Sequence, residues 1–137
     1  MKRLIVDTGP IVALLNANDA HHRWTRNVLD RVEPPMTTCE AVISEACFLL
    51  RRINGGQDAV LDLVERKVVT ISFALSVELT AVRKLMARYA SVPMSVADAC
   101  LVRMSELDDR ATVLTLDSDF EVYRRNRRQV IPTIRPG

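Results

Sequence analysis

Short apolar runs alternate along the chain with longer segments of helical period. Leu4-Ile5-Val6 is uncharged and β-rich, stops at Asp7, and predicts a buried strand. Thr8-Gly9-Pro10 turns the chain, and Pro10 suits the first turn of a helix reaching about Asn16. Asp19 is placed to cap a second helix running to about Val32, which Pro34-Pro35 closes. Met36-Thr37-Thr38 reads as a brief strand, and residues 39–53 as a mostly apolar helix stopped by Asn54-Gly55-Gly56. A helix over 57–66 and a strand over 68–71 follow. Ser76 then caps a helix to about Tyr89, and Ser95 another to about Leu107. Residues 111–116 read as a strand, 119–125 as a short helix, and Val130-Ile131 as a last strand. Strands with near-continuous apolar runs, alternating with helices, predict an α/β fold: a three-layer α/β/α sandwich around a central parallel sheet. In such sheets the functional crevice lies at the carboxyl ends of the strands, beside the topological switch point.

A chain of 137 residues, 48% hydrophobic and 26% charged, fits one globular domain over 1–137. Aromatic residues make up only 4%, so the core is aliphatic and a base-stacking platform is disfavoured. A net charge of +2 does not by itself indicate a nucleic-acid partner. The bases are nevertheless nearly all arginine, with Lys2, Lys67 and Lys84 the only lysines, and arginine suits bidentate phosphate contacts. Cys39, Cys47 and Cys100 are an odd set without CxxC spacing, which points to reduced core residues and a reducing cytosol. The apolar run over 4–15 is broken by Asp7 and too short to span a bilayer. A soluble cytoplasmic protein with no membrane partner is therefore expected.

The informative feature is where the acids fall. Asp7 is the only charged residue between Arg3 and Asp19, at the end of the first strand. Glu45 stands alone between Glu40 and Arg51, Asp98 alone between Arg88 and Arg103, and Asp117 ends the apolar segment ATVLTL. A lone carboxylate in apolar surroundings is costly unless a cation or hydrogen bonds compensate. Four converging carboxylates call for a hard divalent cation, and all-oxygen ligation suits Mg²⁺ or Mn²⁺. Three of the acids also have local structural jobs open to them. Asp7 fits a turn residue bonded to its own backbone, Asp98 stands at capping-box spacing from Ser95, and Asp117 is placed to cap the following helix. Glu45, in mid-helix, has none.

The order and context of these acids resemble the PIN domain, and within it the VapC-type toxins of bacterial toxin–antitoxin pairs. The matching segments are LIVDTGPIVALLN, TTCEAVISEACFLL, MSVADACLV and VLTLDSDF, spread over nearly the whole chain. The resemblance implies that Asp7, Glu45, Asp98 and Asp117 form an acidic metal-binding and catalytic quartet. It adds Asp119 as a supporting acid and Thr115 as a nearby hydroxyl. Glu40 competes for the second position, but Glu45 aligns with the family's helix glutamate. The implied function is Mg²⁺- or Mn²⁺-dependent hydrolysis of RNA phosphodiesters. A cognate antitoxin and a homodimer are implied as partners.

Because the site is acidic, substrate charge must be met elsewhere. Arg51-Arg52 and Arg124-Arg125, with Arg127-Arg128, are candidates for RNA phosphate contacts, or form a solvated basic face. His21 and His22 open a helix and take helix-start or surface roles, and Trp24 and Phe48 serve a core or dimer contact. The acidic pair and late lysine of a response-regulator receiver are absent, as are Asp-x-Asp after strand one, a P-loop and GxGxxG. The alternative from another class is a non-catalytic PIN-like module binding RNA or protein.

Overall fold

A computed structural model describes residues 3–137. The chain runs β1 (Arg3–Val6), α1 (Thr8–Leu15), α2 (His22–Leu29), β2 (Met36–Thr38), α3 (Glu40–Leu49), α4 (Gly56–Glu65) and β3 (Val69–Ile71). It continues through α5 (Leu75–Arg88), α6 (Val96–Leu107), β4 (Ala111–Leu114), a 3₁₀ turn (Ser118–Glu121), β5 (Arg124–Arg125), β6 (Gln129–Val130) and β7 (Thr133–Ile134).

Five strands form one parallel sheet in the order β3-β2-β1-β4-β7. Helices α1 to α4 pack among themselves and α5 packs on α6, giving the expected helix–sheet–helix sandwich. The strand order reverses between β1 and β4, where Val6 pairs with Leu114, so the switch point lies between these two carboxyl ends. β1 and β4 are apolar because helices cover both faces: Leu4, Ile5, Val6, Ala111, Val113 and Leu114 are all buried.

Local chemistry sets the element ends. The Asp7 carboxylate accepts from the Thr8 amide and caps α1, whose first turn is Thr8-Gly9-Pro10 itself. Asp19 does not cap a helix directly; its carboxylate accepts from the His21 amide at 2.8 Å and shapes the turn before α2. α3 stops at Leu49, and Gly55, at φ 73, redirects the chain into α4. A side chain at Gly56 would collide with the Leu50 carbonyl oxygen, so glycine is required there.

The C-terminal region departs most from the expectation. Residues 119–125 form not a helix but a 3₁₀ turn and then an antiparallel hairpin of β5 with β6. Val130 lies in that hairpin, and the fifth strand of the main sheet is Thr133–Ile134. Pro132 supplies the carbonyl that accepts from Val113, and Ile134 the one that accepts from Thr115, so sheet pairing prevails over the β propensity of Val130-Ile131. Among the described residues no helix is long and apolar enough to cross a membrane, and the three cysteines are free.

Candidate active site

Four separate elements deliver acids to the switch point. Asp7 ends β1, Glu45 lies in α3, Asp98 stands in the first turn of α6, and Asp117 follows β4. Asp7, Glu45, Asp98 and Asp117 line one cleft of about 260 Å³, together with Thr8, Gly9, Leu49 and Leu116. Glu40 lies instead in a separate groove with Phe73 and Leu75. Carboxylate oxygens of Asp98, Asp117 and Asp119 lie within 4.8 Å of one another.

The acids form a gradient from floor to rim. Asp7 is deepest, 7% exposed, and both its oxygens are engaged: one accepts from the Thr8 amide at 2.7 Å, the other from the Thr115 hydroxyl at 2.7 Å. Thr115 Oγ1 in turn accepts from the Asp117 amide at 2.9 Å, tying the ends of β1 and β4 together. Asp117 uses Oδ1 to accept from the Asp119 amide at 2.8 Å, so it does cap the turn that follows. Asp98 receives only half of a capping box: its amide donates to Ser95 Oγ at 3.0 Å, while its own Oδ2 accepts from the Tyr123 hydroxyl at 2.8 Å. Glu45 stands exposed at the rim.

Crowding and burial raise the pKa of Asp7, Glu45 and Asp98. Burial pushes the Asp7 carboxyl above its usual range; the Thr115 and Thr8 bonds oppose this, and repulsion from Asp117 and Glu45 adds to it. Glu45 is raised by desolvation, then by Asp98 and Asp117. Asp98 is pushed up to about 6, chiefly by burial, against the Tyr123 bond and with repulsion from Asp7, Asp117 and Asp119. Among the described residues no cationic side chain lines the cleft to relieve this repulsion. An all-carboxylate donor set, mutually repelling and partly bonded, fits a hard divalent cation. Thr8 adds a second indication, because its hydroxyl is buried in the cleft wall without a partner among the described residues.

Two of these groups escape a reading of the sequence. Tyr123 lies 25 residues from Asp98, fully buried between Tyr89 and Phe120, each ring centroid 5.2 Å from its own. Burial and the bond to Asp98 raise the Tyr123 phenol, which keeps it a donor. Thr8 gives no signal beyond its place next to Asp7.

The arginines are placed unevenly. Arg125 is buried, its guanidinium donating to the carbonyls of Ser105 and Asp109, both at 3.2 Å. Arg124 donates to the carbonyls of Glu121, Val122 and Tyr123 and stabilises the turn. Arg51 donates to the Phe48 carbonyl at 2.7 Å and stacks over the Phe48 ring, while Arg52 is exposed. His22 bonds the Ala13 carbonyl at 2.7 Å, a structural tie between α1 and α2.

No curated protein matches the chain significantly in sequence. Among solved structures it is similar to the VapC20 toxin of Mycobacterium tuberculosis, a sarcin-ricin loop cleaving toxin. That similarity has a TM-score of 0.72 at 22% identity and covers 87% of this chain and 93% of the other, a likeness of fold. The model of the PIN domain matches residues 4–126, a span that contains every acid of the cleft and every element carrying one. The chain belongs to the PIN domain family.

Proposed function

We propose that this chain is a divalent-metal-dependent endoribonuclease that hydrolyses RNA phosphodiester bonds, acting as the toxin of a toxin–antitoxin pair in the cytoplasm. The observation that carries the reading is the convergence of Asp7, Glu45, Asp98 and Asp117 from four elements on one cleft. The fold shared with VapC20, a toxin that cleaves the sarcin-ricin loop, supports RNA as the substrate class and an antitoxin as partner. A second copy of the chain is the other expected partner.

Asp98, Asp117 and Asp119 would hold the cation, with Asp7 beneath them and Glu45 at the rim. A bound Mg²⁺ or Mn²⁺ supplies Lewis-acid polarisation of the phosphate and acidifies water at neutral pH. The protein supplies position. Thr115 and Thr8 fix the Asp7 carboxylate, and Tyr123 fixes one oxygen of Asp98 and leaves the other free. Glu45, raised in pKa and open to solvent, is the acid best able to take the proton released as water attacks phosphorus.

The test is incubation of the purified protein with total RNA, with and without Mg²⁺ or Mn²⁺, and mapping of the cut ends. Metal-dependent cuts that vanish in Asp98→Asn are expected. Cleavage by Asp98→Asn at the wild-type rate refutes the assignment, and RNA binding without turnover favours the binding module.

A further inference from the structure

A second concave feature lies outside the acid cleft and carries the opposite charge. Lys84 and Arg88, one helical turn apart on α5, face Arg127 of the β5–β6 hairpin across a cleft of about 450 Å³ floored by Leu85. Among the described residues none of these three cations has an ion-pair partner. The one acid in the cleft wall, Glu106, is already engaged. One oxygen takes Arg103 at 3.2 Å and the other the Asn126 amide at 2.6 Å. The cleft is thus net cationic and its cations are uncompensated.

Two features make an anion favourable in this cleft. Lys84 and Arg88 are like charges at i and i+4, a spacing that disfavours the helix unless an anion lies between or above them. Arg127 sits at φ 71, a left-handed conformation suited to glycine. Its neighbour Asn126, at φ 49, is pinned by Glu106 and by its own bond to Gln129 at 3.2 Å. The hairpin therefore holds a strained turn whose arginine faces two cations.

The cleft is also connected to the acids through packed side chains. The Arg88 guanidinium lies 5.9 Å from the Tyr89 ring, the Tyr89 ring 5.2 Å from that of Tyr123, and the Tyr123 hydroxyl 2.8 Å from Asp98. Tyr89 OH also accepts from the Arg124 amide at 2.9 Å, which anchors the hairpin to the end of α5.

We infer that Lys84, Arg88 and Arg127 form a phosphate cradle that binds the backbone of RNA away from the scissile bond. This rests on the ribonuclease reading and adds to it the surface that meets the substrate's charge. The acid cleft repels a polyanion, and an uncompensated cationic cleft a few side chains away offsets that repulsion.

The experiment is fluorescence anisotropy of a labelled uridine 12-mer on the full chain across a salt series, in an Asp98→Asn background that prevents cutting. The variants are Lys84→Gln, Arg88→Gln, Arg127→Gly and their combination, with Arg23→Gln/Arg26→Gln as an exposed-charge control. Each cradle substitution is expected to lower the slope of log affinity against log salt by about 0.7, and the triple variant by about 2. Affinity at low salt should fall about tenfold or more in the triple variant. Arg127→Gly is expected to keep or raise the melting temperature, because glycine fits that backbone, so a loss of binding there is not a loss of fold. A triple variant whose slope matches the Arg23/Arg26 control overturns the cradle. Wild-type protein that does not bind the 12-mer overturns the cradle, whereas the ribonuclease reading falls only if total RNA stays uncut with Mg²⁺ or Mn²⁺ present.

Discussion

Tyr123→Phe removes one hydroxyl and leaves the ring stack with Tyr89 and Phe120 in place. The lost interaction is the 2.8 Å bond to Asp98 Oδ2, which favours the ionised carboxylate. A buried hydrogen bond to a charged group contributes about 1.5–3 kcal/mol; Asp98 is only half-buried, so the lower end, about 1.5 kcal/mol, applies. That energy equals roughly one pKa unit, so the carboxyl should rise from about 6 to roughly 7. A cation competes with this proton. Mg²⁺ or Mn²⁺ affinity should therefore fall about five- to tenfold near pH 6 and recover progressively above about pH 8, where both proteins are ionised. The assay is metal titration followed by the melting temperature, repeated across that pH range, with Asp98→Asn as the reference for a lost ligand. If Tyr123→Phe binds metal as tightly as wild type near pH 6 while Asp98→Asn does not, the bond has no part in readying Asp98.

Other outcomes follow from the same geometry. The folded-state pKa of Asp98 lies above the ordinary value of 3.8, so its protonated form stabilises the fold. That contribution is full below about pH 4 and lost as pH rises through about 6. Metal-free protein should then lose about 1–2 kcal/mol between about pH 4 and 7 in a urea titration, after allowance for solvent screening, and saturating Mg²⁺ should cancel the loss. Thr115→Val keeps the shape but removes the donor to Asp7 and the acceptor for the Asp117 amide; a loss of about 2–3 kcal/mol in chemical unfolding and a fall in cleavage rate are expected. Arg125→Met should destabilise by about 2 kcal/mol, because the Ser105 and Asp109 carbonyls lose their donor, while the salt slope of RNA binding stays as in wild type.

The parts of the fold legible in the sequence are those whose cause is local or periodic. Leu4-Ile5-Val6 reads as a buried strand because no charge interrupts it, and Asp7 stands out against that run. The same contrast marks Glu45 within α3 and Asp98 within α6. Two of the three local jobs weighed for the acids are also real: Asp7 accepts from its neighbour's amide and Asp117 caps the 3₁₀ turn, whereas Asp98 gives Ser95 only its amide and its carboxylate accepts from Tyr123. Capping and a place in the cleft are not exclusive, because a carboxylate has two oxygens and a cap occupies one. What could not be read depends on distant contacts. Tyr123 resembles any aromatic residue in an amphipathic segment until α6 brings Asp98 to its hydroxyl. Arg125 resembles a surface arginine until the hairpin folds it onto the end of α6. Val130-Ile131 has better β propensity than Thr133-Ile134, but the unpaired edge of β4 selects the latter.

The pairing of β1 with β4 also bears on how the chain is made. Synthesis starts at the amino end, yet β1, paired early with β2 on one side, waits for its other neighbour β4 more than a hundred residues later, and the Thr115–Asp7 bond spans 108 positions. Such long-range pairing is slow to form and comes late. A nascent chain on the ribosome can build β2, α3 and α4 while the acids of β1 and α3 still lack their counterparts from α6 and beyond β4. The acid cleft therefore completes only after α6 and β4 have been made, and a chain interrupted before β4 carries Asp7, Glu45 and Asp98 without Asp117.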